Sequence, residues 1–338
     1  MAMPVPLVPP VLLGKTGLRS TRLGLGTAGW PAHVSPERAA AVVQAAFDLG
    51  IRHLDCAAKY RTEAQIGRAL RDVGAPPDLV VATKVCAYYD RDLDTEFVSY
   101  NPAAAQRSVE RSLRLLGRER LEIVYIHDPA HENLPLIYQR GGVLDVLCAL
   151  KDQGLIAHLG MASWDHRSIQ WAVEHGAFDV VQGFHINTLL NRSGRLGVYA
   201  DADARGIGIC DSGPYGGYIL ATGPVPGARY NYAPASPEVF NAARRLESAC
   251  AAKGVGLADA ALGFALQCPS VDVVVVASGD PNHIGSWARA LDLPLGPADY
   301  EELERIAGPD LDVFSAKLPR VQIHFQAGKL VEANSETP

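Results

Sequence analysis

The chain has 338 residues, of which 48% are hydrophobic, enough for a well-buried core in either two ordinary domains or one large α/β barrel. Its net charge of -6, without a block of Lys or Arg, gives no electrostatic footprint for nucleic acid or an anionic membrane, so small molecules are the expected partners. The six cysteines lack Cys-x-x-Cys spacing, which argues against a zinc module or a disulfide scaffold and favours a reducing compartment.

The N-terminal segment, residues 1–10, is apolar but has no basic region and is interrupted by prolines. It therefore does not indicate a signal peptide, and we expect it to be flexible. No uninterrupted apolar run approaches the roughly 20 residues that a membrane helix needs. We predict a cytoplasmic protein without a membrane partner, either a monomer or a weak homo-oligomer.

Strand-like and helical patterns alternate along the chain. Residues 10–22 predict a small hairpin around two glycines. Apolar runs then predict strands at residues 23–27, 51–55, 79–83, 121–126, 156–161, 178–182, 207–210 and 271–276. Helical patterns lie at residues 36–49, 63–73, 102–116, 142–153, 165–174, 198–204, 237–253, 258–267 and 281–290. This alternation is typical of a sheet of parallel strands covered by helices.

Several strands are nearly continuous apolar runs, as a sheet buried on both faces requires, and an open doubly wound sheet would give the same pattern. However, Gly24 and Gly26 lie within the first strand, without the Gly-x-Gly-x-x-Gly turn that opens a helix in a dinucleotide-binding unit. We therefore predict a single-domain (β/α)8 TIM barrel over residues 11–308, with an N-terminal hairpin and an extra C-terminal helix or tail. In the tail, residues 309–338, we expect apolar pieces at 313–314 and 321–325 to fold over one barrel end and the last residues to be disordered.

Long connections follow three of the strands, at residues 86–101, 128–141 and 213–237. Connections of this kind lie at the carboxyl mouth of a barrel, where such enzymes keep their sites. These connections are rich in Tyr, Asp, Arg and Pro, a mixture suited to polar ligands with rings that stack. Together with two tryptophans near strand ends, they supply the candidate substrate contacts Trp30, Tyr88, Tyr89, Trp164 and Tyr230.

Four residues that can handle protons stand at the ends of consecutive strands. Asp55, Lys84 and His127 end strands two, three and four, and Tyr60 lies in the loop after strand two. A Lys ammonium beside a Tyr would lower its pKa, a carboxylate would hold the Lys charged, and a His could donate to a substrate oxygen. Each residue alone has an ordinary structural interpretation, but the set of four favours a catalytic site.

Motifs around these residues resemble the aldo-keto reductases over almost the whole chain. Asp55-x4-Tyr60, Thr83-Lys84 and Ile126-His127-Asp128-Pro129 match the Asp, Tyr, Lys and His tetrad of that family in order and context. Residues 213–220 and 228–234 look most like the dehydrogenases that act on L-fucose, D-threo-aldoses or L-galactose. The resemblance implies hydride transfer between a nicotinamide cofactor, NAD or NADP, and the carbonyl or alcohol carbon of a small polar substrate. Tyr60 would be the acid in reduction and the base in oxidation.

The same resemblance implies a set of cofactor contacts. Gly24-Leu25-Gly26-Thr27 resembles the first-strand turn of the family, Gln182 would contact the carboxamide, and Tyr215 would stack on the nicotinamide ring. Ser278 would meet a phosphate of the cofactor.

Two departures from the family pattern concern the cofactor. Ala162 and Ser163 stand where the family has Ser-Asn or Asn-Gln, so we expect one carboxamide contact of the family to be missing. The stretch after strand eight has no Lys or Arg and carries Asp280, which would repel a 2'-phosphate and accept from ribose hydroxyls. We therefore favour NAD over NADP.

Two other functions remain open from the sequence. One is a Schiff-base aldolase that uses Lys84, against which the neighbouring Asp55 argues because it keeps the amine charged. The other is a cofactor-binding protein with low turnover and a regulatory role. We expect no metal site, because His127 and His131 have no evident third ligand and the intervening Asp-Pro argues against a continuous helix.

Overall fold

The computed structural model describes residues 8–30, 34–90, 92, 95–311, 322–326 and 329–333. Its central feature is a closed barrel of eight parallel strands, hydrogen-bonded to one another in chain order. From β1 to β8 they are Leu23–Gly26, His53–Asp55, Val80–Val85, Leu121–His127, Ile156–Ser163, Val180–Phe184, Gly208–Ser212 and Val273–Ala277. The predicted (β/α)8 barrel is confirmed.

Helices between the strands cover the outside of the barrel. From α1 to α12 they are Pro36–Asp48, Glu63–Val73, Pro102–Leu116, Leu134–Tyr138, Val143–Asp152, His166–His175, Val198–Arg205, Ile219–Thr222, Pro237–Ala252, Leu257–Leu266, Pro281–Ser286 and Pro297–Ala307. Several begin as their sequences predict: a Ser or Asn cap precedes a proline at the first helical position, and the Ser35 hydroxyl accepts from the Arg38 amide at 3.2 Å. Helix α12 is the extra C-terminal helix, whose bounds the sequence patterns had not defined.

The barrel interior is a packed apolar column. Alternate residues of the strands point inward, among them Val80, Ile123, Val180 and Val273. Leu13, which is fully buried next to the N-terminal hairpin of Pro10–Leu12 and Arg19–Thr21, packs into the same column. Because no channel crosses such a core, chemistry is confined to the rim where the strands end.

Several bounds and connections differ from the predicted elements. Strands β2, β3, β6, β7 and β8 begin one or two residues later than predicted, so Phe178 and Ile207 precede β6 and β7. The connections after β4 and β7 contain the short helices α4 and α8. The connection after β3 contains a hairpin of Ala87–Asp90 and Thr95–Val98, which the sequence patterns did not indicate. In the tail, Gln322–Gln326 pairs with Lys329–Ala333 and approaches the second strand of that hairpin, whereas residues 1–7, 313–314 and 334–338 lie outside the described residues.

Within the described ranges, no single helix is long and apolar enough to cross a membrane. Only α9 and α10 taken together reach the required length and apolarity, and they meet at an angle of 93°. Both helices bury apolar residues against the rest of the protein.

Candidate active site at the barrel mouth

Because alternate residues of a strand point into the barrel, four polar side chains lie at the inner rim of the mouth. Lys84, His127 and Gln182 each lie two residues beyond a residue of the interior column. Asp55 lies two beyond His53, which pairs with the inward-facing Val80, so all four side chains point into the barrel where it opens. Each is at most 4% exposed. Polar groups buried this deeply need partners, and the contacts between them define the site.

Asp55 and Lys84 form a buried ion pair. The Lys84 Nζ lies 2.5 Å from the Asp55 Oδ1, with side chains that are 3% and 5% exposed, respectively. The same ammonium donates to the Cys56 carbonyl at 3.1 Å. Two charges taken out of water are tolerated only when each compensates the other. The pair therefore fixes Lys84 as a cation at the inner rim.

Tyr60 faces His127 across the mouth. It ends the short 3-10 turn Ala58–Tyr60 that follows β2, and its Oη lies 3.4 Å from the His127 Nε2. The two rings meet edge to face with centroids 5.5 Å apart, and the Lys84 Nζ is 5.1 Å from the centre of the Tyr60 ring. The four residues of the predicted tetrad are thus brought together.

The pKa of Tyr60 shifts in the direction opposite to our expectation. Burial raises the pKa of its hydroxyl well above 10, and the carboxylates of Asp55 and Asp128 raise it further. Lys84 donates to Asp55 and to a backbone carbonyl, and it lies over the Tyr60 ring. The expectation of a lowered pKa for Tyr60 is therefore wrong for this structure, because burial and the two carboxylates dominate. A phenol with a raised pKa keeps its proton at neutral pH.

Gln182 carries a buried acceptor that faces the tetrad. Its Nε2 donates to the Asp55 Oδ2 at 3.2 Å, whereas its Oε1 has no hydrogen-bond partner among the described residues. A buried carbonyl oxygen left without a donor costs free energy. At the mouth this oxygen is available to accept a hydrogen bond from a ligand or from water.

Thr27 and Ser163 lie at the rim, but their hydroxyls bond within the protein. The Thr27 Oγ1 contacts the Asp55 carbonyl at 3.2 Å and the Thr62 hydroxyl at 2.9 Å. The Ser163 Oγ donates to the Pro129 carbonyl at 3.3 Å and accepts from the Asp165 amide at 3.0 Å. At the end of β5 it is Ala162 that packs into the interior column, so the inward position lacks a polar group.

Ser278 and Asp280 organise the start of α11. The Ser278 hydroxyl accepts from the Asp280 amide at 3.1 Å, and the Asp280 carboxylate accepts from the Asn282 amide at 3.0 Å. Arg38, from α1, lies 3.7 Å from that carboxylate and donates to the Gly279 carbonyl at 2.6 Å. The sequence reading missed this cation because it lies on a helix far away along the chain, where no local signal connects it to Asp280.

The candidate substrate residues divide into two groups. Tyr89 lies on the strand that contacts the Tyr60 turn, with the Arg61 guanidinium 3.9 Å from its ring centre. Tyr88 points to the other face of its hairpin, where it packs on Phe97 at 5.4 Å and lies near Ser108 of α3. The structure therefore does not bring Tyr88 to the tetrad, because neighbouring residues of a strand point to opposite faces.

Tyr230 also lies away from the mouth. It is 7% exposed, packs in a second hydrophobic cluster under α9 and α12, and its hydroxyl donates to the Leu311 carbonyl at 3.3 Å. Trp30 is 5% exposed within the main core, and Trp164 is partly buried directly after β5. Tyr215 packs between the two hydrophobic clusters, and burial raises the pKa of its hydroxyl, which lies near Asp259 and Arg289.

The sequence reading missed Tyr232. It is 40% exposed, lies close enough to Tyr60 to raise the pKa of that phenol, and stacks nearly parallel to Phe184 with ring centroids 5.9 Å apart. Tyr218 meets it edge-on at 6.2 Å. The segment 228–234 did indicate a Tyr at the mouth. Which Tyr it is depends on the left-handed backbone at Asn231 and Tyr232, which no sequence pattern shows.

With this geometry in place, comparison with known proteins settles the family. Residues 22–307 match the model of the Aldo/keto reductase family. The chain belongs to the aldo/keto reductase family. The holo form of an aldo-keto reductase from Bacillus halodurans has the same fold, with a TM-score of 0.76, 19% identity, and coverage of 88% of this chain and 96% of the other.

The relatives of this aldo/keto reductase include dehydrogenases of small polar molecules. Pyridoxal 4-dehydrogenase of Microbacterium luteolum is 29% identical, over 80% of this chain and 90% of the relative. L-galactose dehydrogenase of Arabidopsis thaliana is 25% identical, over 88% and 93%. D-threo-aldose 1-dehydrogenase of a Pseudomonas species is 27% identical, over 78% and 86%. The resemblance to the sugar dehydrogenases is thereby confirmed, and the chain is an oxidoreductase of this family.

Proposed function

We propose that the protein transfers a hydride between NAD(P)(H) and the carbonyl or alcohol carbon of a sugar or another small polar molecule, with Tyr60 as general acid and base. The observation that carries this proposal is the convergence of Tyr60, His127, Lys84 and Asp55 at the mouth. The names of the relatives support the substrate class, since they act on two sugars and on an aldehyde-bearing pyridine.

The residues at the mouth fit a nicotinamide. The unpartnered Gln182 Oε1 would accept from the carboxamide N–H. By the family resemblance, Tyr215 would stack on the nicotinamide ring, and Ser278 and Asp280 would lie near the phosphate and ribose of the adenosine part. When bound, the nicotinamide supplies or accepts the hydride. The interior position of Ala162 leaves Gln182 as the main carboxamide contact that we propose.

Tyr60 and His127 handle the substrate oxygen. In reduction, the Tyr60 hydroxyl donates its proton to the oxygen that gains negative charge, while the His127 Nε2 donates a hydrogen bond to the same oxygen. In oxidation, Tyr60 must first give up its proton, which its raised pKa opposes. The nearby Lys84 ammonium, held by Asp55, is the positive charge that stabilises the phenolate when it forms.

We propose NAD as the preferred cofactor. Asp280 lies where the family resemblance puts the adenosine phosphate, but the structure adds the cation of Arg38 beside it. The two charges largely cancel, so the preference for NAD should be small. The cytoplasmic location and the monomeric or weakly homo-oligomeric state stay predictions from composition.

The two alternatives have separate tests. A Schiff-base aldolase needs a neutral Lys84, which the 2.5 Å contact with Asp55 opposes, and borohydride trapping of a carbonyl substrate on Lys84 would revive it. A low-turnover binding protein would quench its tryptophan fluorescence with NAD(H) or NADP(H) but oxidise or reduce no substrate.

A substrate screen tests the proposal directly. Aldoses, polar aldehydes and their alcohols are offered with each cofactor, and the absorbance of the reduced nicotinamide is followed. We expect Tyr60→Phe to lose at least 100-fold in kcat, as removal of a general acid does. Tyr138→Phe, which removes a hydroxyl on the outer helix α4, is the matched control and should retain full activity. Full activity of Tyr60→Phe would refute the mechanism.

A further inference from the structure

The turn that carries Tyr60 has little to hold it in place by itself. Ala58–Tyr60 is a single 3-10 turn, with one backbone bond from the Tyr60 amide to Ala57 at 3.1 Å and one from the Arg61 amide to Ala58 at 3.3 Å. Arg61 then adopts a left-handed conformation, with φ of 61°. Such backbone is strained for a residue with a side chain and persists only when surrounding contacts enforce it.

The hairpin after β3 supplies two such contacts, in addition to the buried Thr62 on the far side of the turn. The Lys59 Nζ lies 2.7 Å from the Glu96 Oε2, and the Arg61 guanidinium lies 3.9 Å from the centre of the Tyr89 ring. Tyr89 and Glu96 are direct cross-strand partners in the hairpin of Ala87–Asp90 and Thr95–Val98. The residues immediately before and after Tyr60 therefore bind one and the same pair.

The hairpin is itself anchored to the barrel. It continues β3, the strand that carries Lys84, and the Ser99 amide donates to the Cys86 carbonyl at 2.9 Å where it returns. On its other face, Tyr88 packs on Phe97 next to α3. One face thus rests on a helix of the barrel while the opposite face contacts the Tyr60 turn.

We propose that Lys59, Arg61, Tyr89 and Glu96 form a clamp that positions the Tyr60 hydroxyl for proton transfer. These are positioning residues: their contacts are with one another and they hold the turn on both sides of Tyr60. The inference rests on the proposed role of Tyr60 as acid and base. The hydroxyl has to stay within hydrogen-bond reach of His127 and of the substrate oxygen, and a displacement of about 1 Å can cost on the order of 100-fold in rate.

The two contacts of the clamp are expected to act together. The Glu96 side chain is 60% exposed, so the ion pair alone is weak and screened by salt, and an exposed stack of a cation on a ring is of similar strength. Because both contacts order the same short turn, losing either loosens it. We expect kcat to fall roughly fivefold for loss of one contact and at least tenfold for loss of both.

A charge swap tests the ion pair. Lys59→Glu and Glu96→Lys should each lower kcat, with KM and the cofactor Kd nearly unchanged, and the double variant Lys59→Glu/Glu96→Lys should recover most of the activity. For the stack, Tyr89→Phe should keep kcat and Tyr89→Leu should lower it.

The matched control removes a comparable Lys–Asp pair from the opposite end of the barrel. The Lys151 Nζ lies 2.5 Å from the Asp179 Oδ2, just before β6 begins, and Lys151→Glu should leave kcat unchanged. Hydrogen exchange gives a second measurement that does not depend on activity. Amides in residues 57–62 should exchange faster in the clamp variants and recover in the double variant.

The outcomes separate the clamp from the proposed function. If Tyr60→Phe is inactive but the clamp variants keep both kcat and slow exchange, the clamp is wrong and the function stands. A rise in KM alone, faster exchange without a loss of kcat, or failure of the double variant to recover would also overturn the positioning role. If Tyr60→Phe is active, the proposed function fails, and the exchange arm still decides whether these four residues order the turn.

Discussion

Replacing Asp55 with Asn tests the arrangement of the inner rim most directly. Asn has nearly the same volume and keeps a carbonyl oxygen for Lys84, so the change removes the negative charge and leaves the shape. The ion pair is almost fully buried, with 2.5 Å between the Lys84 Nζ and the Asp55 Oδ1. Lys84 would then be a buried cation without its counter-ion.

The size of the effect follows from this geometry. At 2.5 Å and an effective dielectric constant of about 20, the gross attraction is about 7 kcal/mol. Desolvation offsets part of it, and losing one partner of a buried pair typically costs about 3–5 kcal/mol. Since Asn still accepts a hydrogen bond, we expect about 3 kcal/mol. For 338 residues the unfolding entropy is about 0.7 kcal/mol/K, so Tm should fall by roughly 4 °C.

A second effect should appear in cofactor binding. The Gln182 Nε2 donates to the Asp55 Oδ2, and the new Asn amide would place a donor opposite it. Gln182 can restore a hydrogen bond by rotating its amide, so that its Oε1 accepts from the new amide and its Nε2 takes the place of Oε1 at the mouth. The proposed contact with a carboxamide N–H is then lost, and the Kd for NAD(H) should rise about tenfold, equivalent to about 1.4 kcal/mol.

Thermal unfolding and fluorescence titration measure the two effects separately. Asp72→Asn is the matched control, because it removes the same charge from the exposed Arg68 pair at 3.4 Å and should change stability by less than about 0.5 kcal/mol. If Asp55→Asn were as stable as Asp72→Asn, the Lys84 pair would not hold the inner rim. An unchanged Kd for NAD(H) would show that Gln182 does not contact the cofactor as proposed.

Three further predictions concern pH and the cofactor. Because the pKa of Tyr60 is raised, kcat for oxidation should rise from about pH 7 to about pH 10 while kcat for reduction stays level; equal profiles would contradict its role. Burial raises the pKa of Asp211 to about 7 from 3.8, so the folded state loses stability as pH rises between these values. Asp211→Asn should therefore gain roughly 2–3 kcal/mol relative to wild type between about pH 5 and about pH 8 in denaturation, and a constant difference would refute this. Arg38→Ala removes the cation beside Asp280, so the ratio of kcat/KM with NAD to kcat/KM with NADP should increase in this variant. An unchanged ratio would show that Asp280 does not lie near the 2'-position of the cofactor.

The tetrad could be predicted from the sequence because its signals are local. Asp55, Lys84 and His127 stand at the ends of apolar runs, and parallel strands in a barrel end at one rim. The period of two then turns all three side chains inward. Shifts of a residue or two in the strand bounds leave this conclusion unchanged, since the residues concerned are buried in register with the barrel interior.

Other parts of the site depend on contacts that no local pattern records. Arg38 reaches Asp280 from a helix near the start of the chain. Tyr232, rather than Tyr230, faces the mouth because the backbone between them turns into the left-handed region. The pKa of Tyr60 depends on its burial and on where the Lys84 ammonium lies, and sequence shows neither. Each of these three features depends on positions in the folded structure that the sequence does not show.

Backbone strain gives an independent indication of where the function lies. Among the described residues, the non-glycine positions with positive φ are Arg61, Cys86, Asp128, His185, Tyr218, Asn231 and Tyr232, and every one follows a barrel strand on the mouth side. On the opposite face, the turns after helices use glycines such as Gly117 and Gly176, which adopt this conformation without steric cost. Glycine would serve equally well at the mouth if only the turn mattered. Two of these side chains, Asp128 and Tyr232, lie close enough to Tyr60 to raise its pKa, and Arg61 follows Tyr60 directly in the chain. The strained non-glycine positions therefore lie on the face of the barrel that carries the proposed site.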